Sequence, residues 1–380
     1  MRRKTAVWTL VLAVGLLGFG ACKTGGGPGA AKTADMLALM PQNVGGVVFI
    51  DVNKAMSLEF VTKTLAEPKN AEELQDFITK TGLDPRKDIS HLAIGITGSL
   101  AGGEAKPSGF GIINLKYDKA ALLAKMKENK ANIVEGEYEG LATFEVTEKA
   151  DEPKPEEAKP ADQTPPADGT DLAPAAQEPA SPIKPDEPMM GAFLDASHIA
   201  LGPIPQVKAV CDVLKKKAAS AKDNAELAAL IKGANKAALV WGVVAFKPED
   251  VKKMVESTPM LSSLASLKAL ILHFDYANKT LDMALKAVTA DAGKNKELAD
   301  MLTGFKSMGA LAAGEKPELG ELLSKIEITS GADNVTIKAL LPEELLVKLS
   351  KTMETEIKNK LGGETKTEAP AAETPAPETK

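Results

Sequence analysis

Cysteine is scarce in this chain of 380 residues: it holds two, Cys22 and Cys211, beside three histidines, two tryptophans and three tyrosines. So few cysteines exclude a disulfide-stapled fold, and once Cys22 is modified no internal disulfide remains. His91, His198 and His273 stand far apart with no Cys/His cluster near them, so no metal-ligand spacing is present. The Gly-rich run at 95–106, "GITGSLAGGEAK", lacks the Gly-Lys-Ser/Thr ending of a phosphate loop and predicts a hairpin tip between two strands. A concentrated basic surface is missing too. The formal net charge is −6, whereas neutralising nucleic-acid phosphates needs clustered Lys and Arg, which speaks against a nucleic-acid partner.

The acidity that is present is uneven. Residues 149–188 hold ten acids against four lysines, and the tail 362–380 holds four against two. Both segments are rich in Pro, Ala, Glu and Thr and have no aromatic residue. They cannot bury enough apolar area to offset the entropy of ordering the chain, and disorder is expected for both. The flanks of the first, "LATFEVTE" and "MMGAFLD", read as strands. Residues 149–188 are therefore expected to be an insertion in a loop between neighbouring strands, which the logarithmic cost of loop closure permits.

The first residues, "MRRKTAVWTLVLAVGLLGFGAC", carry Arg2, Arg3 and Lys4, then an apolar run to about Gly20, then small residues up to Cys22. That order is an export signal. Its apolar run is shorter than the ~20 residues that span a bilayer, which predicts removal of residues 1–21. The ending "FGAC" resembles the lipobox of bacterial lipoproteins, with Phe19 where that family usually has an aliphatic residue. The resemblance implies cleavage before Cys22 and lipidation of its thiol, so that membrane attachment runs through Cys22. Two or more acyl chains, at about 0.8 kcal/mol per buried CH₂, hold a protein stably to a bilayer where one does not. Lys23 after the cysteine implies the outer membrane if the source has two membranes, and otherwise the cell membrane. Residues 22–35, rich in Gly, read as a tether with an r.m.s. span of about 20 Å.

From about Met36 to Leu361 the hydrophobic period alternates between strand and helix. "VGGVVFIDV", "HLAIGITG", "GFGIINLKY", "LATFEVTE", "MMGAFLD" and "HIALGP" read as strands, interleaved with helices at "SLEFVTKTLAE", "AEELQDFITKTG" and "DKAALLAKMKENK". After a helix around Cys211 the order restarts with "AALVWGVVAF", then a helix "KPEDVKKMVES", a strand pair joined at "DYANK", and a long helix "NKELADMLTGFKSMGALAAG". That helix carries Leu298, Met301, Leu302, Phe305 and Leu311 along one stripe. Two further strands and a last helix close the chain. The fold class expected is α+β, a duplicated strand-helix-strand-strand-helix-strand-strand-helix unit (36–223 and 224–361), with antiparallel sheets covered by helices on one face. The body resembles families of exported bacterial proteins built from repeated strand–helix units that open on runs such as "GGVVFIDV"; that resemblance implies no activity.

Two Asp-x-Ser-His stretches, "DISHLAIGI" (88–96) and "DASHIALGP" (195–203), invite a hydrolase reading. A triad needs serine, histidine and a carboxylate in hydrogen-bond reach. Neighbouring residues at a strand start leave on opposite faces, so Ser90 and His91 are expected not to serve one another. "DYANK" and "GADNV" keep Asp or Asn at the same place without Ser-His, so the position asks for a turn-former. Cross-pairing of Ser90 with His198, or Ser197 with His91, stays open at this point. Val207, Val210, Cys211 and Leu214 share a helix face, which makes Cys211 a buried small residue. Trp241 reads as core. Thirteen methionines could fill the core or line an adaptable groove.

The expected function is a lipid-anchored cell-envelope protein, non-enzymatic, whose body is an interaction or structural module. The alternative is a carrier of a lipid or other apolar ligand in a sheet–helix cleft. No catalytic, cofactor-binding or metal residues are expected, and no cofactor.

Overall fold

The computed structural model describes residues 36–98, 107–129, 132–147, 188–289, 291–350 and 352. The expected signal segment and tether with Cys22 and Lys23, residues 149–187 of the expected insertion, and the tail 362–380 lie outside the described residues.

Twelve strands form one antiparallel sheet. The first half supplies β1 (Gly46–Asp51), β2 (Ile89–Thr97), β3 (Ser108–Leu115), β4 (Asn132–Tyr138), β5 (Leu141–Thr147), β6 (Met189–Phe193) and β7 (His198–Pro203). The second supplies β8 (Val240–Ala245), β9 (Leu267–Ala277), β10 (Thr280–Thr289), β11 (Ile326–Ser330) and β12 (Asn334–Pro342). Their spatial order is β11-β12-β10-β9-β8-β1-β2-β3-β7-β6-β5-β4. The halves thus meet at β1 and β8 and run outward in the same sequence, with the β4–β5 hairpin as an extra piece of the first half. Even the register at the joint is symmetric: Gly46 faces Val244, Val48 faces Gly242 and Ile50 faces Val240. An antiparallel α+β architecture with repeated element order is therefore present, as one continuous sheet.

Helices α1 (Val52–Met56), α2 (Glu59–Leu65), α3 (Pro68–Thr81), α4 (Pro85–Asp88) and α5 (Lys119–Glu128) belong to the first half. They are followed by α6 (Ile204–Leu214), α7 (Ala225–Lys232), α8 (Pro248–Ser257), α9 (Ala292–Ala312), α10 (Pro317–Ser324) and α11 (343–350). One sheet face buries Ile50, Leu92 and Val240 under α1 and α2, and Leu115, Phe144 and Ile199 against Leu122 and Leu123 of α5. Farther out on that face, Val335 packs on Leu298 of α9, and Leu281 and Leu341 pack near Leu345 of α11. The expectation that helices cover one face needs a correction at the middle of the sheet. There Phe49, Ile112, Trp241 and Val243 point the other way and are buried by Val207, Val210 and Cys211 of α6 and Leu227 of α7. Central strands are apolar on both sides, so both sides need cover.

Local chemistry sets the element ends. The turn between β9 and β10 places Asn278 and Lys279 at φ 52° and 57°, the pair of left-handed residues that a two-residue hairpin requires. Helix α3 starts at Pro68, with proline in its first turn, and stops at Gly82, φ 74°. Helix α4 is capped by Asp84, whose carboxylate accepts from Arg86 N–H and takes Arg86 Nε at 2.8 Å. The Arg86 side chain holds the Asp84 carboxyl down at about 2. A depressed carboxyl contributes stability above its unfolded pKa and loses it as pH falls through the folded one. Asp84→Asn is thus expected to lower stability by about 1 kcal/mol at pH 6, discounted for the half-exposed Arg86, and by distinctly less at pH 2, where the carboxyl is about half protonated. Urea titrations of both proteins at the two pH values check this, and an equal difference at both would refute it.

Candidate functional site: a polar row at one end of the sheet

Direct cross-strand partners share a sheet face, and at one end of the central strands four polar residues are partners in series: Asp51 faces His91, His91 faces Asn114, and Asn114 faces His198. His91, Asn114 and His198 are buried. The row is continued by the turn before β7, where Asp195 reaches back to His198, and by α1, whose N-cap is Asp51 and whose Lys54 Nζ lies 2.6 Å from Asp275.

Ser90 does not sit as a regular strand residue. The register between β2 and β3 shifts between Ile89 and His91, so Ser90 and His91 together oppose Asn114. Such a bulge turns both side chains toward one partner. The hydroxyl of Ser90 donates to the Asn114 carbonyl at 3.0 Å and also contacts Asn114 Oδ1. Asn114 Nδ2 faces the Ser197 carbonyl at 3.3 Å and His198 Nε2 at 2.9 Å. His198 Nδ1 meets Asp195 Oδ2 at 2.8 Å, and the Tyr117 hydroxyl donates to the Asp195 carbonyl. Burial pushes the Asp195 carboxyl up, but hydrogen bonds from Ser197 N–H and His198 outweigh it and hold it below the usual range.

Ser197 and His198, neighbours in sequence, do come within reach: Ser197 Oγ lies 3.2 Å from His198 Nδ1. The Asx-type turn causes this, because Asp195 Oδ1 accepts from both Ser197 N and Ser197 Oγ and so folds the serine toward the ring. A nucleophile relay needs serine on one imidazole nitrogen and carboxylate on the other. Here both crowd Nδ1, and Nε2 is taken by Asn114. The cross-pairing of Ser90 with His198 is likewise blocked, since Asn114 stands between them and bonds to both. The two stretches do meet in space, through a residue whose place in "GFGIINLKY" carries no signal of it. The double variant Ser90→Ala/Ser197→Ala is expected to match wild type in any ester or peptide hydrolysis assay, and a loss of turnover would overturn the geometric argument.

The remaining candidates fall into the core. Cys211 is buried, and burial pushes its thiol up to about 11, which suits packing and not reactivity. Trp241 is fully buried, stacked on Phe49 at 5.9 Å. The methionines among the described residues are dispersed: Met36, Met40 and Met190 are in the central core, Met283 and Met301 lie on the opposite face, and Met308 is exposed. The stripe on α9 changes character along its length. Leu298 is buried, whereas Phe305, Met308 and Leu311 are 43%, 60% and 83% exposed.

The described residues enclose hollows of different character. One, about 680 Å³, is a wide-open depression floored by Ala209, Ala218, Ala219 and Ala225. Another, about 280 Å³, is a crevice between α2 and α3 lined by Leu65, Leu74 and Ile78 with Arg86 at its rim. Among the described residues no group of three or more His, Cys, Asp or Glu could hold a metal ion, and no helix is long and apolar enough to cross a membrane.

No protein-family model matches the chain, and no curated protein matches it. Among solved structures it is similar to crystal form III of a protein named TP0453, at 8% identity and a TM-score of 0.43, over 82% of this chain and 95% of that one. Crystal form I of the same protein gives 8% identity and 0.41 over 83% and 96%. Crystal form IV gives 7% and 0.39 over 82% and 95%.

Proposed function

We propose that this chain is an exported cell-envelope protein, anchored through lipidated Cys22, whose α+β body is a non-enzymatic interaction module. The observation that carries the module reading is the filled body: both faces of the central sheet are closed by apolar side chains, while large apolar surface is left open along α9 at Phe305, Met308 and Leu311. Exposed apolar residues clustered along one helix are surface that a partner covers. The leader ending at Cys22 supports the anchoring, and Lys23 supports an outer-membrane destination in a double-membraned source.

A second reading, a carrier of one apolar chain, is favoured by the crevice between α2 and α3, whose volume suits a short acyl segment and whose rim holds Arg86. Two measurements separate these statements. In the native host, Cys22→Ser is expected to move the protein from the membrane pellet to the soluble fraction, and wild-type material is expected to lack residues 1–21 and carry the mass of acyl chains. Retention of Met1, or an unmodified thiol, would sink the anchoring. Native mass spectrometry of the Cys22→Ser protein then decides the rest: a bare polypeptide mass supports the module, and a co-purified lipid supports the carrier.

A further inference from the structure

We propose that His198 is a proton sensor: its protonation forces Asn114 to break one of two buried hydrogen bonds and so loosens the join of β3 to the turn at 194–197.

The orientation of Asn114 follows from its neighbours. A carbonyl oxygen only accepts, so the amide atom 3.3 Å from Ser197 O is the NH₂ group. The same nitrogen lies 2.9 Å from His198 Nε2, which must therefore be a bare acceptor. The ring proton then sits on Nδ1, directed at the Asp195 carboxylate 2.8 Å away. Neutral imidazole in that one tautomer satisfies every partner at once.

An added proton goes to Nε2, and it meets the Asn114 NH₂, donor against donor. Rotating the amide by half a turn gives Nε2–H an acceptor but sets Oδ1 against the Ser197 carbonyl, acceptor against acceptor. Neither state of Asn114 satisfies both contacts, and a buried polar group left unmatched is costly. The gain on the other side is small, because the Asp195 side chain is 46% exposed and exposed ion pairs contribute little.

The groups facing His198 decide the sign. Asp195 from its own turn favours the charged ring. On the Asn114 side, His91 of β2 follows in the row, with Asp51 of β1 3.9 Å from its Nε2. The Tyr117 hydroxyl stays on the Asp195 carbonyl at these pH values. Strand β6, paired on the other side, presents Phe193 and Leu194, which do not titrate. The backbone bonds that depend on this join are Leu115 N–H to Ser197 O and Leu194 N–H to His198 O.

The test is NMR on the soluble Cys22→Ser chain from pH 8 to pH 5, the range in which imidazoles take up protons. The Asn114 side-chain amide resonances are expected to shift along the same titration curve as the His198 ring, with exchange at Leu115 and Leu194 about tenfold faster at pH 5 after correction for intrinsic rates. His198→Gln, whose amide oxygen can replace Nε2 as acceptor, is expected to flatten both curves, and His91→Gln to leave them in place. An Asn114 amide that stays still while His198 titrates overturns the proposal, as does a transition that follows His91. If His198→Gln fails to fold, the wild-type titration alone still decides between these outcomes.

Discussion

Phe110→Ala is expected to destabilise the protein by about 3–5 kcal/mol, the range for removing a buried phenyl ring. Phe110 is 2% exposed and lies between two glycines, Gly95 on β2 and Gly202 beyond Leu201 on β7. A Cβ on Gly95 would come within 2.3 Å of the Phe110 ring, and one on Gly202 within 2.7 Å of its Cβ. The three positions therefore act as one packing unit, in which the ring covers backbone that two glycines leave bare. Gly95→Val alone is expected to cost at least about 1–3 kcal/mol by overpacking. In the Phe110→Ala background the same change fills vacated space, and part of the lost stability is expected to return. Urea denaturation of the four proteins reads the coupling. Costs that simply add, or a Phe110→Ala loss below about 1.5 kcal/mol, would mean that the ring and the glycines are independent.

Replacing residues 148–188 by Asn-Gly is expected to stabilise the body by about 2 kcal/mol and raise its melting temperature. Val146 and Met189 are cross-strand partners, so the segment joins two strands that are already antiparallel neighbours. Closing a loop costs about 0.6 kcal/mol more for each doubling of length, and the change removes roughly four doublings. With Val146 paired to Met189, Thr147 and the added Asn-Gly make a three-residue hairpin loop, whose last position is left-handed and suits glycine. Thermal and urea unfolding would show the gain. A protein that loses stability, or no longer folds, would show that residues 148–188 pack on the body and are more than a connection.

Much of the architecture was readable because it depends on local periodicity. The runs at β1, β2, β3, β7 and β8 are apolar in succession, as doubly covered strands must be, and the helix face Val207–Val210–Cys211 is buried as its spacing predicts. What escaped has a physical cause in each case. Strand β4, "NIVEGEY", lies at the sheet edge with Val134 and its glutamates in solvent, so it shows no apolar period. Helix α7 is only eight residues long. Helix α9 begins at Ala292, earlier than its apolar stripe, because Asp291 caps it. The polar row was half legible: the repeated Asp-x-Ser-His marked the turn before β7, but at 88–91 the expected turn is instead the end of α4 running straight into β2, and neither the bulge at Ser90 nor the position of Asn114 between the histidines showed.

What the amino-acid order determined by itself is therefore what acts within a few residues: the alternation of strand and helix, most of the turns, and the uneven acidity. Tertiary structure alone decided which strands became neighbours, and with them the joining of both halves into one sheet, the second helical layer over its middle, and the meeting of His198 with Asn114. Periodicity states that a face is buried without naming what buries it. Partners across a sheet are chosen by the competition among all apolar faces at once, and no single stretch of sequence contains that choice.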